Sequence, residues 1–216
     1  MENIFLEFLE GFATTVLLFV ATLVIAIPLG LIITFFSTSK VKVISIVTKF
    51  FISIIRGTPL MLQLIIIFYG PGLVFGPGVG IKSRIIASIV GFSINYACYF
   101  SEIYRGGIES ISKGQYEAGE VLGLTKSQIF FKIVLLQVIK RILAPMSNEI
   151  ITLVKDTSLA RTIAVVELTD IAFTLRRMTS GGIWPLLAAG VFYYVFNLLV
   201  AFVLSKIEKK LDYYKV

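Results

Sequence analysis

The chain has 216 residues, 57% hydrophobic and 15% charged, with a formal net charge of +7. Soluble domains are about a quarter charged, so the apolar excess excludes an ordinary soluble fold and points to one all-α integral membrane domain. No histidine and a single cysteine, Cys98, exclude a Ser-His-Asp triad, an imidazole proton shuttle, a His-ligated or thiolate metal site and an internal disulfide.

Charge-free windows mark the elements in chain order, because a charge at mid-bilayer costs several kcal/mol. The first covers residues 11–39 and follows Glu2, Glu7 and Glu10. An acidic leader and so long an apolar run argue for a retained membrane helix rather than a signal peptide. Next come windows at 57–81, 85–101 and 178–205, with Cys98 a small packed hydrophobe within the third. A shorter apolar stretch, 142–154, is interrupted by Asn148 and Glu149. Its 13 residues reach ~20 Å as a helix, short of a ~30 Å hydrocarbon core. The expected fold is therefore five transmembrane helices, over residues 11–37, 50–75, 85–108, 141–155 and 180–205, in a single domain 1–216. The Pro/Gly cluster at 70–80 is an external turn.

Basic residues set the orientation. Lys40, Lys42 and Lys49, then Arg105, Lys113, Lys126, Lys132, Lys140 and Arg141, and finally Lys206, Lys209, Lys210 and Lys215 place two connections and the C-terminal tail inside. The N-terminus is expected outside and the C-terminus inside, and the net positive charge follows from topology. With the aromatics in the spans, no nucleic-acid surface is expected.

Polar residues interrupt this pattern in three places. Asn95, Tyr99 and Glu102 follow one another at i, i+4 and i+7, with Ser88 one heptad before Asn95, and so share a helical face. They suit either a polar path or structural hydrogen bonds. Lys155, Asp156, Thr157 and Ser158 follow the short fourth segment, where non-helical backbone at membrane depth is expected. The alternative is a Lys155–Asp156 pair at the outer interface, with Thr157 or Ser158 capping a following helix. Arg56, Gly57, Thr58 and Pro59 predict a kink, because proline removes a donor and biases Thr58 away from helical geometry; Arg56 can snorkel to phosphates.

The long inside connection, residues 112–139, predicts two short helices, 115–122 and 125–139, joined at Gly123, which can adopt positive φ. Glu117, Ala118 and Gly119, then Gly123, then Ile133 and Leu135 resemble the EAA motif of permease subunits in bacterial ABC importers. The pattern departs at Gly119, where alanine is usual, and at Leu136, where proline is usual. Arg56-Gly57-Thr58-Pro59-Leu60, Ser101-Glu102-Ile103 with Arg105-Gly106-Gly107-Ile108, and Lys155-Asp156-Thr157-Ser158-Leu159 are similar to stretches of the polar amino-acid uptake branch, over roughly residues 10–212.

The resemblance implies a permease in the bacterial cytoplasmic membrane that pairs with an identical or related copy. It also implies two ATP-binding subunits, an extracytoplasmic solute-binding protein and an amino-acid substrate. ATP and magnesium would sit on the partner ATPase. This chain has no GxxxxGK[ST] motif, so it is expected to bind no cofactor and to be no enzyme itself. The loop would form the coupling helices, with Glu117, Ala118, Gly119 and Gly123 at the ATPase. Family members place a substrate pocket midway across the membrane; by position Asn95, Tyr99, Glu102, Lys155, Asp156, Thr157 and Ser158 are its candidates. An ion-gradient-driven secondary transporter is the alternative, although it would usually carry more spans and inverted repeats.

Overall fold

The computed structural model describes residues 2–178 and 182–211; the expected start of the last span at 180 and the tail lysine Lys215 lie outside them. Among the described residues nine α-helices run in chain order: α1 Glu2–Ser37, α2 Lys42–Gly57, α3 Leu60–Phe75, α4 Arg84–Glu109, α5 Lys113–Val121, α6 Lys126–Ile129, α7 Leu135–Asp156, α8 Leu168–Met178 and α9 Trp184–Leu211. A π-helical turn, Phe130–Val134, joins α6 to α7, and a 3-10 helix, Thr157–Ile163, follows α7.

Named contacts fix the relative directions of the long helices. Thr34 on α1 donates to the Ser101 carbonyl on α4 (3.1 Å), while Gly30 packs so closely that a Cβ there would lie 2.9 Å from Phe100 Cβ. Glu10 and Thr14 line one cavity with Ser83 and Arg84 at the other end of the pair. α1 and α4 therefore run parallel, which obliges the chain between them to return across the bundle. The return is made by α3: Gly91 of α4 meets Leu64, and Asn95 meets Gln63. α7 opposes α4, with Gly107 against Ile142 and Tyr96 against Asp156. α9 runs with α1, its Phe192 stacked on Phe8 and tilted against Phe12 and its Phe196 meeting Phe12 and Phe19 edge to face.

The centre of the bundle is aromatic. Tyr96 and Phe100 of α4 pack with Phe19, Ala26, Leu153 and Val154, and Phe92 packs with Leu18, Leu64 and Ile163. Close approach through small residues and threonine hydroxyls bonded to the preceding turn suits helices in lipid, where tail-like side chains provide no drive to associate. The outward faces stay apolar; Leu17, Val24 and Phe35 on α1 and Val191, Leu198 and Phe202 on α9 are all exposed.

Three expectations are revised. Residues 50–75 do not form one kinked span: α2 and α3 meet at 107°, because Pro59 holds Thr58 extended (φ −117°, ψ 147°). The fourth segment is longer than its apolar stretch, since the helix runs from Leu135 to Asp156 through Lys140, Arg141 and Pro145. Its charged faces are accommodated by neighbouring structure, Arg141 donating to the Ser110 carbonyl. Finally, 168–178 forms a helix that the charge-free windows did not mark.

Among the described residues, two helices are long and apolar enough to cross a membrane, Ile4–Ser37 within α1 and α9; the bent pair α2 and α3 adds a third if counted as one. α4, whose charges lie only at Arg84 and from Glu102 onward, and α7, which carries Lys140, Arg141 and Glu149, do not meet that criterion.

Candidate functional site

The site grows from the break between α2 and α3. Broken helices leave carbonyls without partners, and here one side chain collects them: Gln63 Nε2 donates to the carbonyls of Ile55 (2.7 Å) and Thr58 (3.1 Å) and to Thr58 Oγ1 (2.9 Å). Thr58 Oγ1 in turn donates to the Ile54 carbonyl (2.9 Å). The remaining oxygen of Gln63 accepts from Asn95 Nδ2 at 2.9 Å. Asn95, buried on α4, is thus committed to bracing the break.

One turn along α4, Tyr99 and Glu102 meet the last turn of α2. The Arg56 guanidinium lies 5.0 Å from the Tyr99 ring centroid and 3.5 Å from Glu102 Oε2. Arg105 grips the same carboxylate through Nη2 (2.6 Å) and Nε (3.1 Å), and Glu109 through Nη1 (2.7 Å). Two guanidiniums therefore occupy Glu102. The proximity of Arg56 to Tyr99 and Glu102 joins two sequence features that were separate, and Gly57 leaves open space beside them.

The second centre lies where α7 changes to 3-10 geometry. Tyr96 donates to Asp156 Oδ2 at 2.7 Å. Thr157, fully buried, donates to the Val154 carbonyl (2.7 Å) and Ser158 to the Lys155 carbonyl (2.7 Å). The hydroxyls point back at the end of α7 and cap no following helix. Lys155 is exposed and makes no ion pair with Asp156, so the alternative reading of an interface pair is not what the structure shows. Regular helix persists through Lys155 and Asp156, and the departure from it begins at Thr157. It ends at Ala164, which has a left-handed backbone (φ 56°, ψ 43°).

Three contributors were missed in the sequence. Gln63 sits inside a charge-free window, where an amide was itself an unused signal. Glu149 precedes Asp156 by seven residues on α7, hence on the same face, within electrostatic reach of Arg56 and Asp156. Glu167 is completely buried and accepts from the backbone of Thr169 (2.8 Å) and Asp170 (3.0 Å) and from Tyr193 Oη (2.8 Å). It anchors α8 to α9, while Arg161 of the 3-10 segment reaches Asp170 (3.3 Å) and stacks on Phe173 (3.7 Å to the ring centroid).

At the far end of α7 the loop is compact. Gly123 has φ +73°, and Thr125 and Gln128 form a capping box at the start of α6. Gly119 lies against Ile129, where a Cβ would meet Cγ1 at 2.6 Å. Ala118 and Glu117 are exposed, beside Val121 and Leu122, which are 88% and 74% exposed.

These features agree with the comparisons. The chain belongs to the family of binding-protein-dependent transport system inner membrane components, which it matches over residues 8–213. It is 34% identical to the arginine transport system permease protein ArtQ of Bacillus subtilis (strain 168), over 94% of this chain and 91% of that protein. It is equally identical to the L-cystine transport system permease protein TcyB of the same organism, over 94% and 86%. The structure superposes on that of an amino acid ABC transporter solved with histidines (TM-score 0.88, 30% identity, 97% and 96% coverage). It shares the fold of the MetNI methionine ABC transporter in inward-facing conformations (TM-score 0.73, 17% identity, 98% and 99%). Family membership gives the ion-gradient-driven alternative no support.

Proposed function

We infer that the chain is the membrane-embedded permease subunit of an ATP-driven importer that carries a polar amino acid into the bacterial cytoplasm. The observation that carries this is the continuity of α6, the π turn and α7. One helical rod starts at a solvent-facing knob, Val121 and Leu122 above the Gly119–Ile129 contact, and ends at Asp156 beside α4. A push at the knob is delivered to the polar centre. A secondary carrier driven by an ion gradient would have no use for such a knob.

In this reading the chain pairs with an identical or related permease, docks two ATP-binding subunits through Glu117, Ala118, Gly119 and Gly123, and receives substrate from an extracytoplasmic binding protein. ATP and magnesium belong to the ATPase, and this chain holds no cofactor. It crosses the membrane five times through α1, α3, α4, α7 and α9, with α2 leading into α3, the N-terminus outside and the C-terminus inside. The alternating helix directions support that count.

A zwitterion needs an acceptor for its ammonium and donors for its carboxylate. Asp156 supplies the first, helped by Glu149; Lys155 supplies the second, while Thr157 and Ser158, whose hydroxyls donate to the last carbonyls of α7, hold the end of that helix against the pocket. Glu102, held by Arg56 and Arg105, joins Asn95 and Tyr99 in shaping the wall. The test is uptake in proteoliposomes carrying the ATPase, with binding protein saturating. Asp156→Asn is expected to lower apparent affinity or rate about tenfold, the worth of one charge-assisted hydrogen bond. Unchanged affinity and maximum rate would remove Asp156 from the pocket.

A further inference from the structure

Of the basic stripe of α2, only Arg56 enters that scheme, by holding Glu102; Lys42 and Lys49 have no part in it. Lys42, Lys49 and Arg56 recur every seven residues and lie along one face of the helix. On the adjoining face Val43, Ile46, Val47, Phe50 and Ile54 are between 46% and 70% exposed, and Ile52 alone is buried. Such a helix, half apolar and half basic, belongs at the boundary between acyl chains and headgroups.

Between α2 and α4 a cavity of about 570 Å³ is lined by Lys49, Ser53, Arg56, Glu102 and Arg105. Three cations face one carboxylate, and that carboxylate is shared by both arginines. Lys49 makes no ion pair among the described residues. Glu109 answers Arg105 from beside the cavity and Glu102 answers Arg56, which leaves the positive charge of Lys49 in excess. The cavity opens near the end of α4 that leads into the basic loop.

We propose that this cavity is a binding site for the phosphate of an anionic glycerophospholipid of the inner leaflet, with its acyl chains lying over Val43, Ile46, Phe50 and Ile54. Basic pockets between membrane helices on the cytoplasmic side select such headgroups. Two observations favour a lipid over a soluble phosphate. The volume greatly exceeds what inorganic phosphate fills, and the uncovered apolar face adjoins the basic lining, so one amphipathic molecule satisfies both. Ser53 offers a hydroxyl for a second phosphate oxygen.

The test uses the assembled complex containing the full chain, purified in detergent and exposed to mixed micelles of phosphatidylglycerol and phosphatidylcholine at equal mole fraction. Bound lipid is read by native mass spectrometry. Phosphatidylglycerol is expected to be retained over phosphatidylcholine. Lys49→Gln is expected to lower that retention about fivefold, the share of one basic side chain near a lipid surface, whereas Lys210→Gln on α9 leaves it unchanged. Millimolar inorganic phosphate is expected not to displace the lipid. Equal retention of the two lipids, retention unaffected by Lys49→Gln, or displacement by phosphate would each overturn the assignment. Disulfide formation between two copies through Val47→Cys would overturn it too, by showing that a second permease covers the face.

Discussion

Gln63 does the work of a helix cap from inside the following helix. Its amide nitrogen serves the carbonyls that Pro59 leaves unpartnered, and its oxygen anchors Asn95. Gln63→Leu keeps the size of the side chain but strands the Asn95 amide and the Ile55 carbonyl. A buried polar group without a partner costs about 1–3 kcal/mol, so thermal unfolding of the purified protein in detergent is expected at a clearly lower temperature. Asn95→Leu removes only one end of the network and is expected to cost less. An unchanged midpoint for Gln63→Leu would show that the break is held by other means. The position of Asn95 on a polar face was readable from its spacing; its partner was not, because Asn95 and Gln63 are 32 residues apart and meet only when α3 folds back along α4.

Among the elements, the α5–α6 corner is decided by two glycines for different reasons. At Gly123 nothing lies within 4 Å of a Cβ, but φ is +73°. Gly123→Val therefore pays only backbone strain, of order 1–3 kcal/mol for a branched residue in the left-handed region. Uptake is expected to fall while membrane levels persist, and Gly123→Asn, which tolerates that region, is expected to retain most activity. Normal transport by Gly123→Val would argue that the corner is not a coupling element. At Gly119 the backbone is helical and the obstacle is Ile129. Gly119→Ala is expected to impair uptake in the native background, through overpacking worth about 1–3 kcal/mol, and to do no further harm when Ile129→Ala is already present. Additive losses in that double-mutant cycle would mean the two residues act independently. The departure from alanine in the sequence pattern thus has a cause in the packing: this chain carries isoleucine where the added methyl would sit.

At the scale of the whole molecule, α1 and α4 run parallel with one return between them, α7 runs antiparallel and α9 parallel to them, the directions that the proposed five passes require. Cys98 is buried, so a Cys98→Ala background permits single-cysteine mapping. Gly78→Cys, in the turn between α3 and α4, is expected to react with a membrane-impermeant thiol reagent on intact cells. Leu122→Cys, at the corner after α5, is expected to react only after the membrane is opened. Labelling of both from outside would refute the five-pass arrangement.

The linear sequence already determined the apolar class of the protein, the breaks at Pro59 and Gly123, and the polar positions on α4 and at the end of α7. All of these follow from composition, from the fixed dihedral of proline, or from a helical period that local spacing reveals. Tertiary structure decided how those positions are used. The 107° turn at Thr58 brings Arg56 to Glu102, so a carboxylate that was a plausible ligand for an ammonium group is answered from within the chain. α7 extends well beyond its apolar stretch through Lys140 and Arg141, and the exposed Arg141 is tied to the Ser110 carbonyl, a contact that no hydropathy window contains. Glu167 and α8 escaped notice for the same reason: a buried carboxylate is tolerable only when partners from distant segments converge on it, and here its tyrosine partner lies 26 residues along the chain.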